Sequence, residues 1–185
     1  MIDPIVEKGA KVLGEHAHEV PKDFFGTKKL ATLIARMSAS LRTTEHGVAI
    51  AAPQIGLSYR IFVVRGCIMA GQEGLPKAER DDTIPDVVFI NPKMAKISRK
   101  KELLEEACLS VPGYYGFIKR SVQATVRAYD KDGKRFERGG SGLLAQIFQH
   151  ETDHLEGILY VDKAEEVHET KKEEEDGVKK DEQNS

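Results

Sequence analysis

Near the end of the chain stand Gln149-His150-Glu151-Thr152-Asp153-His154. On a helix, His150 and His154 lie one turn apart on one face, so both imidazoles can reach a single metal ion. Glu151 follows the first histidine directly, where a carboxylate can stand beside the metal and take a proton from water. Leu143, Leu144, Ile147, Phe148, Leu155 and Ile158 make the surrounding segment apolar over much of its circumference, so the helix should be buried. Two histidines and a carboxylate inside a buried helix are costly unless they have partners. A metal site is the expected reading, with a hydrogen-bonded structural pair as its alternative.

Two histidines do not complete a catalytic centre, which usually takes three protein ligands and keeps one position for water. The candidates for the third are His16, His18, His46, His168, Cys67, Cys108 and several carboxylates. His16 and His18 lie in a polar N-terminal stretch and His168 borders a charged tail, so these read as exposed histidines. Cys67 reads as a small buried residue at the start of an irregular loop. Cys108 sits in Glu105-Glu106-Ala107-Cys108-Leu109-Ser110-Val111-Pro112-Gly113, an extended segment closed by Pro-Gly. Local context alone leaves the choice open.

The elements around these residues outline an α+β fold in which antiparallel β-sheets pack around a central buried helix. Leu30, Leu33, Ile34, Met37 and Leu41 recur at spacings of three and four, which predicts a packing helix over about 28–43 with Thr27 as its cap. Strands are expected at 59–64, 87–90, 94–98 and 121–129, with Asn91-Pro92 as a stop after the second. Asp130-Lys131-Asp132-Gly133 reads as a hairpin turn, returning through 134–137. Gly139-Gly140-Ser141-Gly142 reads as a turn and helix cap; it lacks the lysine of a phosphate loop and the spacing of a dinucleotide fingerprint. The helix bearing the histidines should run from Ser141 to about Glu156 and end at Gly157, with a short strand at 158–161. Residues 66–86 have no clean period and read as an extended loop.

The whole chain has 185 residues, 40% of them apolar, which suits one domain with a real core. Its formal net charge of -2 gives no basic footprint for sequence-specific nucleic-acid binding. No apolar run approaches the ~20 residues a bilayer span needs, so no membrane partner is expected. Two cysteines are too few for a disulfide scaffold. From Glu169 to Ser185 seven acidic residues meet four lysines and one aliphatic residue, Val178, which predicts a disordered tail after a single domain at 1–168. A soluble cytoplasmic protein is expected, with an organelle as the alternative compartment.

Three stretches together carry a resemblance. Gly47-Val48-Ala49-Ile50-Ala51-Ala52-Pro53-Gln54, Glu106-Ala107-Cys108-Leu109-Ser110 and Gln149-His150-Glu151-Thr152-Asp153-His154 are similar to the G-x-G-x-A-A-x-Q, E-G-C-x-S and Q-H-E-x-x-D-H motifs of the peptide deformylases. The resemblance spans about 5–164. It implies Cys108, His150 and His154 as ligands of one divalent ion, typically Fe2+ in cells, with Zn2+, Ni2+ or Co2+ able to take its place. It implies Glu151 as the base, and the Gln54 side-chain amide with the Leu109 backbone N–H as donors to the developing oxyanion. The implied substrates are N-formylmethionyl peptides and nascent chains at the ribosome; the products are formate and a free N-terminal methionine. A monomer is expected.

The pattern departs from the motifs along the substrate cleft, where the resemblance places Gly47, Val48, Ala49, Ala107 and Tyr115. Ala49 and Ala107 stand where the motifs have glycine, and Tyr115 where the family often has arginine. Each alanine adds a methyl and removes access to positive φ, which matters only where the backbone needs it. These changes imply an altered downstream peptide preference with the metal ligands intact. One rival is a deformylase-like protein that binds formylated chain ends without turnover. The other is an H-E-x-x-H endopeptidase, whose third ligand would lie downstream of His154, where only His168 and glutamates are on offer.

Overall fold

The computed structural model describes residues 2–71, 79 and 81–170. Its elements in chain order are α1 (Lys28–Arg42), β1 (Ala49–Ala51), β2 (Ile61–Val64), α2 (Gly66–Met69), β3 (Val87–Ile97), β4 (Lys101–Cys108), β5 (Val111–Ser121), β6 (Gln123–Tyr129), β7 (Arg135–Ser141), α3 (Gly142–Leu155) and β8 (Glu166–Glu169). The strands form two antiparallel sheets, a five-stranded one in the order β1-β2-β3-β6-β7 and a three-stranded one in the order β4-β5-β8. The fold is α+β, with α3 at its centre.

β2 shows why the layers form. All four of its residues, Ile61-Phe62-Val63-Val64, are buried, because each face of the sheet has its own helix. Ile61 and Val63 point with Ile50 and Ile90 toward Leu30, Leu33, Met37 and Leu41 of α1. Phe62 and Val64 point the other way, with Phe89 and Val126, toward Ala145, Phe148 and Leu155 of α3. The alternation of a strand thus serves two cores at once. Phe62 stacks on Phe89 at 4.6 Å between ring centroids, and Phe148 meets Phe89 edge-on at 5.4 Å. Thr27 caps α1 as its sequence implies, its hydroxyl accepting from the Leu30 N–H at 3.2 Å.

Several boundaries differ from the sequence reading. The two strands expected at 87–90 and 94–98 are the single strand β3, which continues through Asn91-Pro92 with register shifts instead of stopping. Asn91 takes φ 48°, and its side chain bonds both the N–H and the C=O of Val20, at 2.7 and 2.9 Å, while its own N–H donates to the Arg60 C=O at 2.8 Å. Gly139 and Gly140 lie within β7 and not in a turn, and the strand runs to Ser141, the residue before α3. Residues 160–162 form a 3-10 turn where a strand was expected. The expected loop at 66–86 opens with the short helix α2, and its residues 72–78 and 80 lie outside the described residues. Glu169, expected to open the tail, closes β8 instead; residues 171–185 lie outside the described residues.

The segment before α1 is tied to the middle of the molecule by its main chain. The Val6 N–H donates to the Gln54 C=O at 2.9 Å, and the Lys8 N–H to the Ser110 C=O at 2.8 Å. Arg36 of α1 grips Asp3 through Nε and Nη2, at 2.7 and 2.8 Å. Among the described residues no helix is long and apolar enough to cross a membrane.

Candidate metal centre

Three segments far apart in sequence meet at one cavity of about 280 Å³. One lip is Gly47, Val48 and Ala49, leading into β1, with Gln54 behind it; the other is Glu105–Leu109, where β4 turns into β5. Leu143, Ile147, His150 and Glu151 of α3 form the base. Both β1 and β4 are the end strands of their sheets, so each lip presents backbone that no strand has paired. A Cβ at Gly47 would overlap the Thr44 side chain, which would have to move to admit it.

The ligand atoms of Cys108, His150 and His154 lie within 4.8 Å of one another, the two histidines presented by successive turns of α3 and the cysteine by the end of β4. Cys108 Sγ is 3.2 Å from His154 Nε2. His150 Nδ1 bonds Glu106 Oε2 at 2.9 Å, which leaves Nε2 as the nitrogen for a metal. A soft thiolate with two imidazoles, all buried or nearly so, is a donor set suited to a divalent transition metal. Two buried atoms beside it have no partner among the described residues, His154 Nδ1 and Glu151 Oε2. These residues fit a metal: among the described residues Cys108, His150 and His154 form a single divalent-metal site.

Its electrostatics follow from burial. Burial pushes the Glu151 carboxyl up to about 7, with the His150 charge opposing and Glu106 assisting. Burial and the neighbouring His150 hold His154 well below the ordinary imidazole value. His150 goes the other way, because hydrogen bonds with Cys108 and Glu106 outweigh the cost of its burial. Burial also works against the charged form of Glu106, but Arg120 and His150 hold its carboxyl down at about 2. Arg120 forks onto both Glu106 oxygens, at 2.7 and 2.9 Å, and reaches Asp153 Oδ2 at 2.6 Å. Lys163 closes the chain on Asp153 Oδ1 at 2.7 Å.

Gln54 is held as precisely as the ligands. Its Oε1 accepts from the Ala51 N–H at 2.8 Å, which turns its Nε2 toward Cys108 Sγ at 3.5 Å and Ser110 Oγ at 3.3 Å. Leu109 lies on the opposite lip, directly after the cysteine. Ala49 and Ala107 both line the cavity, and neither has positive φ, so each alanine adds a methyl without straining its backbone. Tyr115 is not in the lining: it pairs with Ala107 from β5, one strand back, and packs against His168 and Phe117. His16, His18, His46 and His168 are exposed, and Cys67 is buried apart from the metal ligands. The Glu106–Arg120–Asp153 chain was not read from sequence; Glu106 and Asp153 lay inside the motifs, but nothing local marks Arg120.

The chain matches the family model described as polypeptide deformylase over residues 2–170. It belongs to the peptide deformylase family. It is 38% identical over 166 residues to peptide deformylase 1A, chloroplastic/mitochondrial, of Arabidopsis thaliana, a match covering 86% of this chain and 60% of that protein. A peptide deformylase of Thermomicrobium roseum is 39% identical over 155 residues, covering 84% of this chain and 76% of the relative. The chain thus spans about 60% of the length of the plant relatives it matches. Among solved structures, the Met-Ala-Ser-bound class I type b peptide deformylase of Acinetobacter baumannii superposes with a TM-score of 0.76 at 31% identity, over 88% of this chain and 98% of the other. A peptide deformylase of Legionella pneumophila gives 0.75 at 36% identity, over 88% and 86%.

Proposed function

We propose that this chain hydrolyses the formyl group from the N-terminal formylmethionine of newly made polypeptides, releasing formate. The observation that carries the reading is a buried carboxylate oxygen of Glu151 with no partner among the described residues, in the same cavity as a Cys-His-His ligand set. A divalent ion on those ligands supplies a Lewis acid for the formyl oxygen and lowers the pKa of water in the site. Glu151 takes the proton from the attacking water and passes it to the leaving amine, its carboxyl standing in the same cavity as His150 and Cys108. As the formyl carbon becomes tetrahedral, the Gln54 amide and the Leu109 N–H donate to its oxygen, where charge develops. The Ala51 N–H fixes the Gln54 amide beforehand, so that donor need not reorganise.

Val48, Leu109, Leu143 and Ile147 offer the methionine side chain an apolar wall. The peptide behind it adds as a strand between the open edges of β1 and β4. On β4 the Glu105 C=O is already taken by Gln146 Nε2 at 2.7 Å. Ala107, two residues on, faces the same edge and supplies the pairing. The Acinetobacter baumannii relative was solved with Met-Ala-Ser bound, which supports a short peptide as the ligand. Iron is the proposed working metal, with zinc, nickel or cobalt as occupants of the same ligands. The proposed partners are formylated nascent chains at the ribosome, which sets the compartment: the cytoplasm, with an organelle as the alternative. The proposed domain runs through the close of β8 at Glu169, acting as a monomer. The endopeptidase reading loses its ground, because the third ligand is the upstream Cys108 and not a residue beyond His154.

The test is formate release from formyl-Met-Ala-Ser by protein prepared without oxygen, with Glu151→Ala as the blank. Turnover should fall at least a thousandfold in the variant while bound metal stays at one per chain. Activity lost in air by the iron form and kept by the nickel form would agree with a ferrous thiolate site. Absence of turnover in metal-loaded wild-type chain overturns the reading in favour of binding without chemistry.

A further inference from the structure

The outer strands of the five-stranded sheet bury one face and leave the other open. Ala124, Val126 and Ala128 of β6 belong to the core that α3 completes. The alternate residues Gln123, Thr125, Arg127 and Tyr129 point to the opposite side, the side on which α1 packs over β1 and β2. In register with them stand Lys93 and Lys96 of β3, and Arg135 and Glu137 of β7. Partners in register share a face. All of these except the half-buried Thr125 are exposed.

This face is cationic, against the trend of a chain whose formal net charge is -2. Lys93, Lys96, Arg127 and Arg135 share it with Glu137. Arg127, by hydrogen bond and charge, and then Arg135 and Lys96, by charge alone, hold that carboxyl below its ordinary value. Lys93 pairs with Glu19 at 3.2 Å and Arg127 with Glu137 at 2.6 Å, exposed pairs that contribute little and are open to exchange for phosphate. Lys96 and Arg135 make no direct ion pair among the described residues. The face also carries an aromatic step. Phe25 meets Tyr129 at 5.8 Å between ring centroids and 62°. The Gly26 N–H donates to the Lys131 C=O at 3.0 Å, which fastens the Phe25 segment to the turn between β6 and β7. The two rings, with Lys22, Lys93, Arg127 and Arg135, line a cavity of about 550 Å³. Its two carboxylates, Glu19 and Asp132, are already held by Lys93 and Lys131.

We infer that this open face binds single-stranded RNA, with phosphates on its cations and a base on the Tyr129 ring, and without reading sequence. Cations alone would fit any polyanion. An exposed ring among them fits a base, because every base has a π-face to stack. Gln123 and Thr125 add an amide and a hydroxyl to the same side, groups that hydrogen-bond a ribose 2′-OH, which DNA lacks. The metal ligands on α3 lie on the other side of this sheet, so an occupant here leaves the cleft open. The inference stands apart from the function proposed above.

The test is fluorescence anisotropy of a labelled RNA strand of about 12 nucleotides, titrated with the metal-loaded full chain at salt between about 50 and 200 mM. About four phosphate contacts predict that log affinity falls against log salt with a slope of about -3. Arg127→Glu combined with Arg135→Glu should weaken binding about tenfold or more and bring the slope to about -1.5. Tyr129→Leu should weaken binding about fivefold or more and leave the slope as it was. The slope does not depend on how much of a variant is folded, so a partial loss of folded material imitates neither result. The same strand as DNA should bind more weakly than the RNA. No RNA binding at the lowest salt, a slope that survives the paired arginine substitutions, an affinity indifferent to Tyr129→Leu, or DNA bound as tightly as RNA overturns the inference.

Discussion

On one side of α3, Ala145, Phe148 and Leu155 meet Phe62, Phe89 and Val126 of the five-stranded sheet. On the other, His150 and Asp153 meet Glu106 and Arg120 of the three-stranded sheet. The first interface is apolar and close-packed, and its free energy comes from burial of surface. The second is a chain of buried charges, each satisfied by the next, and such chains contribute little net stability because desolvation offsets attraction. Yet the second fixes the orientation of a metal ligand, which apolar packing cannot do. One helix therefore separates the two tasks by face: stability toward the large sheet, chemistry toward the small one.

That separation is open to direct attack. Phe89→Ala removes a ring that touches Phe62, Phe136 and Phe148. It should cost about 3–5 kcal/mol and lower the melting temperature by roughly 10 °C or more, with metal affinity in the folded protein unchanged. A large drop in affinity would show the two faces to be coupled. Glu106→Gln keeps the size of the side chain but loses the charge that holds His150 and Arg120. Metal affinity, read by competition with a chelator, should fall about 10- to 100-fold, with a smaller loss of melting temperature in the metal-free protein than Phe89→Ala gives. The reverse order of the two effects would break the comparison.

The smallest effect is expected remote from both faces, at Asp3. The Arg36 guanidinium holds its carboxyl below the usual carboxylate range, against a small opposing effect of burial. A carboxyl lowered on folding stabilises the protein above its unfolded pKa, and that contribution is lost as pH falls through the lower folded value. Asp3→Asn should therefore lower the melting temperature by about 1–2 °C at pH 7. The gap should close as the pH falls below the ordinary aspartate value of 3.8. A gap that persists at low pH would assign the effect to packing and not to the ion pair.

The metal-bearing helix was legible because its signal is local: two histidines four apart within an apolar segment, and a glycine to end it. The same holds for α1, whose apolar period and threonine cap are read within sixteen residues. β4 and β5 were not legible as strands. Lys101–Cys108 has no clean alternation, since its buried side carries Glu106 and its open side Leu103. Cys108 as a ligand depended on resemblance, because its partners come from a helix more than forty residues away. Arg120 is the extreme case, meeting Glu106 across a hairpin and Asp153 across 33 residues. Asn91-Pro92 misled in the other direction: a dipeptide that usually stops a strand is absorbed here by a register shift, with the asparagine side chain bonded to the Val20 main chain.

The N–H groups of Val6 and Lys8 tie the two lips of the cavity to one short stretch of chain, through the carbonyls of Gln54 and Ser110. These links belong to the backbone, which every residue but proline supplies in the same form. The letters at positions 6 and 8 can thus drift across generations while the gap between the lips stays where it is. The width of the mouth is inherited through a segment whose own spelling records almost nothing of it.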